Sequence, residues 1–234
     1  MPQTIGESSS CIDLRQKLSA FVITNGRSTY DYCVKALEDS QNVCFEYSVI
    51  RDKDWLAANQ EIVKQCVTPF FVRVDDDMLV HPRCIEYMWH CVKTQHPKVA
   101  LRQWELWEPY NNRSVRSIKV YTHSLVQRVG FRINHLGKID KPFREDCDKM
   151  HYDIESQKDI IGIHSCSDIE EHVKYAKMRG EDKGKGFKRK EKDMRKAIKN
   201  CKLSLEEQFE QRKSYLVKQN KIRGEDFYGW LHRS

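Results

Sequence analysis

"TPFFVRVDDDMLVHPRCIE", residues 68–86, decides how this chain is read. An apolar run, Phe70-Phe71-Val72 and then Val74, delivers three consecutive carboxylates, Asp75, Asp76 and Asp77, before the chain turns apolar again at Met78-Leu79-Val80. Side chains alternate along a strand, so Asp75 and Asp77 are expected to point one way and Asp76 the other. Two carboxylates on one side suit a hard divalent cation, Mg²⁺ or Mn²⁺, whose remaining ligands are water or phosphate oxygens. An acidic surface turn has the same composition, and the surrounding sequence has to separate the two.

Upstream, "SAFVITN" (19–25) is a buried-strand run closed by the turn signal Asn25-Gly26. "STYDYCVKALEDSQ" (28–41) sets Tyr32, Cys33, Ala36 and Leu37 at helical spacing, with Ser28 or Thr29 as N-cap. "VCFEYSVIRD" (43–52) reads as a second strand, and Asp54 to Cys66 as a helix with Leu56, Ile62 and Val63 inward. "TPFFVRV" is then the third strand of a strand-helix-strand-helix-strand series, which implies a parallel sheet with right-handed crossovers. Ligands on such sheets lie beyond the carboxyl ends of the strands, where Asn25 to Arg27, Arg51-Asp52 and Asp75 to Asp77 all fall. A short helix is also expected near Cys11 to Leu18.

Downstream, Pro82 opens a helix (82–95) with Ile85, Met88, Trp89 and Val92 on one face. Residues 98–109 and 116–131 read as further strands, or as a strand plus a helix. A mixed acidic stretch, 140–157, starts a short helix near Glu145, and "KDIIGIHSC" (158–166) is a last short strand ending on His164. Helix-compatible segments follow, separated by the Gly- and Lys-rich "GEDKGKGFKRK".

The chain has 234 residues and 39% apolar content, enough for one substantial core. Two parts are expected: an α/β domain over 1–166 and a basic helical extension over 167–234. Residues 174–234 hold 19 Lys and Arg against nine Asp and Glu, a local balance of +10 in a chain whose net charge is +7. That tail suits a solvated helical face, contact with nucleic acid through the basic 174–202 stretch, or docking beside an anionic ligand. No window reaches the length of a membrane span and no export signal is read, so a soluble, cytoplasmic protein is expected. The nine cysteines include no C-x-x-C pair, which points to reduced, packed thiols.

The chain resembles the GT-A glycosyltransferases, and within them the family-2-like nucleotide-diphospho-sugar transferases. "FVITNGR" looks like that family's first strand and nucleotide loop, "VIRD" like its second strand with a terminal acid, and "FFVRVDDDMLV" like its D-x-D segment. "FREDCDKM" resembles the E-D motif opening the acceptor-side helix, and "IIGIHS" the late strand whose His completes the metal ligands. The fold implied is Rossmann-like α/β, a mostly parallel sheet flanked by helices. The resemblance implies Mn²⁺ or Mg²⁺ on Asp75, Asp77 and His164, with Asp75 or Asp76 at the ribose. Thr24, Asn25, Arg27 and Asp52 would line the donor's base and ribose pocket. Asp146, with Glu145 as near substitute, would be the general base for transfer from a nucleoside-diphosphate sugar, UDP-sugar by default, to an acceptor hydroxyl with inversion.

The Q-x-x-R-W signature of processive synthases is absent, which favours single transfers. A sugar-nucleotide synthetase is less consistent, because the first strand lacks a long Gly-rich loop for a triphosphate. The basic tail keeps two other readings open: glycosylation of modified bases in viral DNA, and nucleic-acid binding on an inactive scaffold. Trp104, Trp107 and Tyr110 suit core packing or, alternatively, stacking on an acceptor. His81, His90, His96 and His123 are read as structural.

Overall fold

The computed structural model describes residues 3–5, 11–27, 29–39, 42–108, 113–134 and 137–164. The core series begins with β3 (Leu18–Thr24), after two short strands, β1 (Gln3–Ile5) and β2 (Ile12–Asp13). It continues through α1 (Tyr30–Glu38), β4 (Val43–Arg51), α2 (Trp55–Gln65) and β5 (Phe70–Asp75). β3 pairs in parallel with both β4 and β5, as the alternation of strands and helices requires. Asp54 caps α2 by accepting the Ala57 amide at 2.9 Å. Thr29 occupies the N-cap of α1 without a side-chain capping bond.

Next come β6 (Met78–Val80), α3 (Cys84–Val92), β7 (Val99–Glu108), β8 (Arg113–Thr122), α4 (His123–Val129), α5 (Asp140–Lys149) and β9 (Asp153–His164). The strands form one mixed sheet in the order β1-β4-β3-β5-β8-β7-β9-β6, with β2 beside β4. Its second half is built from antiparallel β5/β8 and β7/β8 pairs and a parallel β7/β9 pair.

The position of β6 dictates the shape of the sheet. Only Asp76 and Asp77 separate β5 from β6, a span of three Cα steps of 3.8 Å at most. Yet β6 hydrogen-bonds to β9, at the far end of the strand order. The sheet therefore curls until its last strand returns to the end of β5, and the carboxylate turn closes the curl.

Alternating β5 residues serve two apolar layers. Val72 and Val74 pack with Cys33 and Leu37 of α1 and with Ile85, Met88 and Val92 of α3. Phe71 faces the opposite layer, with Ala58 and Ile62 of α2, Leu125 and Val126 of α4, and Phe143 and Cys147 of α5. Phe71 stacks on Tyr121 at 5.0 Å, and Tyr121 meets the edges of Phe131 and Phe143 at 5.7 Å.

Several expectations are corrected. Residues 11–17 form the two-residue strand β2 and a turn instead of a helix, because Ile12 and Leu14 donate their amides to the carbonyls of Asn42 and Cys44 beside β4. Cys11 and Cys44 are disulfide-bonded, whereas Cys33, Cys66, Cys84, Cys91 and Cys147 are free thiols, as expected. Residues 153–157 belong to a strand that begins five residues before the expected one. Trp104 and Trp107 are core residues packed with Leu106 and Ile160, which removes them as acceptor contacts, and Tyr110 lies outside the described residues. The basic extension lies outside them too. No helix among the described residues is long and apolar enough to cross a membrane.

Candidate functional site

The parallel register lines up the ends of three strands: Thr24 pairs with Arg51, and Ile23 with Asp75. At that edge the chain leaves β3 through Asn25, Gly26 and Arg27, leaves β4 through Asp52, and leaves β5 through the carboxylate turn. Backbone bonds tie these exits together. The Asp52 amide donates to the Thr24 carbonyl at 3.2 Å, and the Asp76 amide to the Ile23 carbonyl at 3.1 Å. Gly26 and Asp52 both have positive φ, +79° and +54°, so each loop turns sharply as it leaves its strand.

The strand ends at Asp75, and the other two acids sit on the turn. Asp76 is 3% exposed and accepts the Thr24 hydroxyl at 2.6 Å; that same hydroxyl accepts the Gly26 amide at 3.0 Å. Arg27 donates to Asp77 Oδ2 and lies 3.6 Å from Asp76 Oδ1. The Met78–His164 pairing of β6 with β9 brings the imidazole to the turn, with Nε2 3.5 Å from Asp77 Oδ1. Thr24, Arg27, Asp76, Asp77 and His164 are thus drawn together around the end of β5, where Asp75 stands.

Asp75 Oδ1 and Asp77 Oδ1 are buried and accept no hydrogen bond from the described residues. Orphaned carboxylate oxygens are costly unless a cation completes them. Burial pushes the Asp75 carboxyl above its ordinary range, and the nearby Asp77 adds to this, while Arg73 acts against it. Among the described residues no three His, Cys, Asp or Glu side chains are already gathered at ligation distance. In residue type the set suits a hard divalent cation: two carboxylates, each with an oxygen that accepts no hydrogen bond, and one imidazole.

Beneath Asp75 lies a charge cluster that the sequence reading overlooked. Arg73 is 1% exposed, sits 4.7 Å over the Trp55 ring, and donates Nη1 to Asn59 Oδ1 at 3.1 Å. Its Nε is 3.7 Å from Asp75 Oδ1, and its Nη1 is 3.8 Å from Asp140 Oδ1 at the start of α5. Lys119 of β8 donates to Asp140 Oδ2 at 2.8 Å. Burial disfavours the charged form of Asp140, yet Lys119 and Arg73 outweigh it and hold that carboxyl down at about 2. The one visible signal was an arginine inside an otherwise apolar strand. Tyr30 was also missed: Arg51, placed at this edge from the sequence, lies 4.5 Å over the Tyr30 ring and donates to its hydroxyl at 2.8 Å, beside the Asp52 loop.

Glu145 and Asp146 lie elsewhere on α5. Arg132 donates to both oxygens of Asp146, at 2.5 and 3.0 Å, and Lys149 adds a contact at 3.3 Å. The Arg132 hydrogen bond holds the Asp146 carboxyl below its ordinary range. Glu145 pairs with Arg132 at 3.5 Å and Lys141 at 3.8 Å. Asp146 lies six helical steps beyond Asp140, about 9 Å of rise and on a different face. Cys33, whose thiol meets the Asp75 carbonyl at 3.5 Å, is pushed far up by burial and by the three carboxylates, which disfavours its thiolate. Asn25 and Asp52 are exposed at the edge and are not drawn into the carboxylate cluster.

No family model matches the chain, and no curated protein matches it in sequence. Solved structures do match in fold. A mannosyltransferase from Pyrobaculum calidifontis, solved with GDP-Man and Mn²⁺, superposes with a TM-score of 0.51 at 11% identity over 64% of this chain. The match spans 57% of that enzyme's length. S. aureus TarS (1–349) gives 0.48 at 13% identity over 82% of this chain and 77% of its own. Glucosyl-3-phosphoglycerate synthase from Mycobacterium tuberculosis, solved with Mn²⁺, UDP and glucosyl-3-phosphoglycerate, gives 0.49 at 10% over 70% and 77%. The fold is the GT-A type expected from the sequence.

Proposed function

We propose that this GT-A-fold chain is a metal-dependent glycosyltransferase, taking a sugar from a nucleoside-diphosphate sugar, with UDP-sugar favoured, to an acceptor hydroxyl with inversion. The observation that carries this reading is the approach of His164 to Asp77 at the end of β5, with Asp75 Oδ1 and Asp77 Oδ1 buried there and accepting no hydrogen bond among the described residues. The mannosyltransferase's Mn²⁺ and GDP-Man support the class of cofactor and donor.

In this reading Asp75, Asp77 and His164 hold the Mn²⁺ or Mg²⁺ ion. When bound, the cation would offset the charge that gathers on the diphosphate as it leaves. Thr24, Asn25, Arg27 and Asp52 border the nucleoside, and Asp76, fixed by Thr24, keeps the first loop against the turn. The acceptor oxygen attacks the anomeric carbon from the side opposite the diphosphate; its proton passes to a carboxylate as the bond from the anomeric carbon to the phosphate oxygen breaks. Two α5 carboxylates compete for that proton. Asp146 is the one the motif resemblance points to, and Asp140 is the one linked to Asp75 through Arg73.

The test is turnover of a panel of nucleoside-diphosphate sugars with Mn²⁺, read as nucleoside diphosphate released to water or to added acceptors. Release from one donor, reduced at least about a hundredfold in Asp77→Asn, is expected. Comparing D140N with D146N assigns the base. No release from any donor, with no difference between wild type and D77N, would overturn the reading.

A further inference from the structure

A row of polar side chains crosses the sheet beneath α5. Arg73 of β5 pairs in register with Lys119 of β8, Lys119 with Gln103 of β7, and Gln103 with Ser156 of β9, so all four share one face of the sheet. The first three are buried and Ser156 is exposed, so the row opens to solvent at β9. Asp140 and Arg144 of α5 stand over it, four positions apart and so on one helix face, about 6 Å from each other along the axis. Asp140 meets Lys119 and Arg73, which answer its charge. Arg144 is half-buried and is held by neutral groups instead: its Nη2 donates to Gln103 Oε1 at 2.7 Å, and Gln103 Nε2 donates to Ser156 Oγ at 2.6 Å. Among the described residues Arg144 forms no ion pair, and Asp140 feels its charge only from a distance.

We propose that Arg144 binds the acceptor, which makes the acceptor a hydroxyl compound carrying a carboxylate or a phosphate group. This rests on the transferase reading above and names the class of its second substrate. A guanidinium held by a buried amide has its direction fixed before any ligand arrives, and its remaining N–H groups form the fork that suits two oxygens of one anion. Because no carboxylate pairs with it, an incoming anion gains the attraction without breaking an existing ion pair. With the anionic group on Arg144, a hydroxyl about one helical turn away comes to Asp140, the α5 carboxylate linked through Arg73 to Asp75.

The experiment measures binding of glycerol 3-phosphate, glycerate and glycerol to the full chain by isothermal titration calorimetry, without metal so that a divalent ion cannot hold the phosphate. It compares wild type with Arg144→Gln, R144K, Gln103→Glu and, as a control for diffuse charge, R128Q at an exposed position of α4, each first checked for a melting temperature near that of wild type. Wild type should bind one of the two anions and not glycerol, the preferred anion separating phosphate from carboxylate. R144Q should weaken that binding at least about tenfold, as expected for losing a charge-assisted contact, with R144K between the two. Q103E keeps Arg144 but supplies it with an internal carboxylate, and should weaken binding as R144Q does; R128Q should bind as wild type. In turnover with the donor, R144Q should raise KM for the bound anion more than it lowers kcat. Wild type that binds neither anion, or R144Q and Q103E that bind as wild type does, would overturn the acceptor site, while donor turnover that still depends on Asp77 leaves the transferase standing. Should donor turnover be absent and D77N indistinguishable from wild type, the transferase reading fails and the acceptor assignment with it.

Discussion

Gly162 offers a sharp test of the curled sheet, because it stands where β9 presses against β6. It pairs with Val80, and a Cβ added there would lie 2.5 Å from the Leu79 carbonyl oxygen, 2.9 Å from Val80 Cα and 3.1 Å from Leu106 Cδ2. Ordinary contact begins at 3.4 Å, so Gly162→Ala obliges the β6 backbone to retreat by the difference, 0.9 Å at the carbonyl. Two of the three obstructing atoms are main chain and cannot rotate away. Overpacking of this kind costs about 1–3 kcal/mol. For a chain of this size each kcal/mol lowers the melting temperature by roughly 2–4 °C, so a drop of about 2–12 °C is expected in a circular-dichroism melt. β6 begins one residue after Asp77 and carries Met78 opposite His164, so metal and donor binding should weaken in the same variant. A G162A protein that melts within about 1 °C of wild type would refute the close β6/β9 approach and, with it, the route by which His164 reaches the turn.

Two further outcomes follow from the buried charges. Arg73→Met removes the cation shared by Asp75 and Asp140 and should destabilise the protein by about 3 kcal/mol in urea unfolding, with partial rescue in R73K; an R73M midpoint equal to wild type would show that the guanidinium compensates neither carboxylate. Asp140 has its folded carboxyl held down at about 2, so it contributes stability above the ordinary aspartate range, and that stability is lost as pH falls from about 4 towards 2. D140N should therefore flatten the acid limb of a plot of melting temperature against pH between 4 and 2, and an unchanged limb would contradict the Lys119–Asp140 pairing.

The half of the molecule that carries the carboxylate edge was legible because its signals are local and periodic. Buried runs ending in Asn25-Gly26, Arg51-Asp52 and Asp75 to Asp77, with helical spacing between them, fix three parallel strands and the edge they share. The other half depends on contacts distant in sequence. β6 is three apolar residues with no period of its own, and it is a strand only because it pairs with Gly162 to His164 across the curled sheet. Register shifts in β7 next to Trp104 and Glu105 break the simple alternation, so the inward burial of Trp104 and Trp107 could not be read from spacing. Asp140 gave no signal at all, since its role comes from Lys119 on β8 and Arg73 on β5, both distant in sequence. Asp77 lies beside His164, but on a turn rather than through the strand alternation read from the sequence.

The most direct test of the central claim is thermal stability against a panel of nucleoside-diphosphate sugars, each with and without Mn²⁺, in wild type and the D75A/D77A double variant. A ligand specific to the native state must raise the midpoint by mass action. The account expects a Mn²⁺-dependent rise for one donor that disappears in the double variant. No rise with any donor, or a rise that survives loss of both carboxylates, would contradict it.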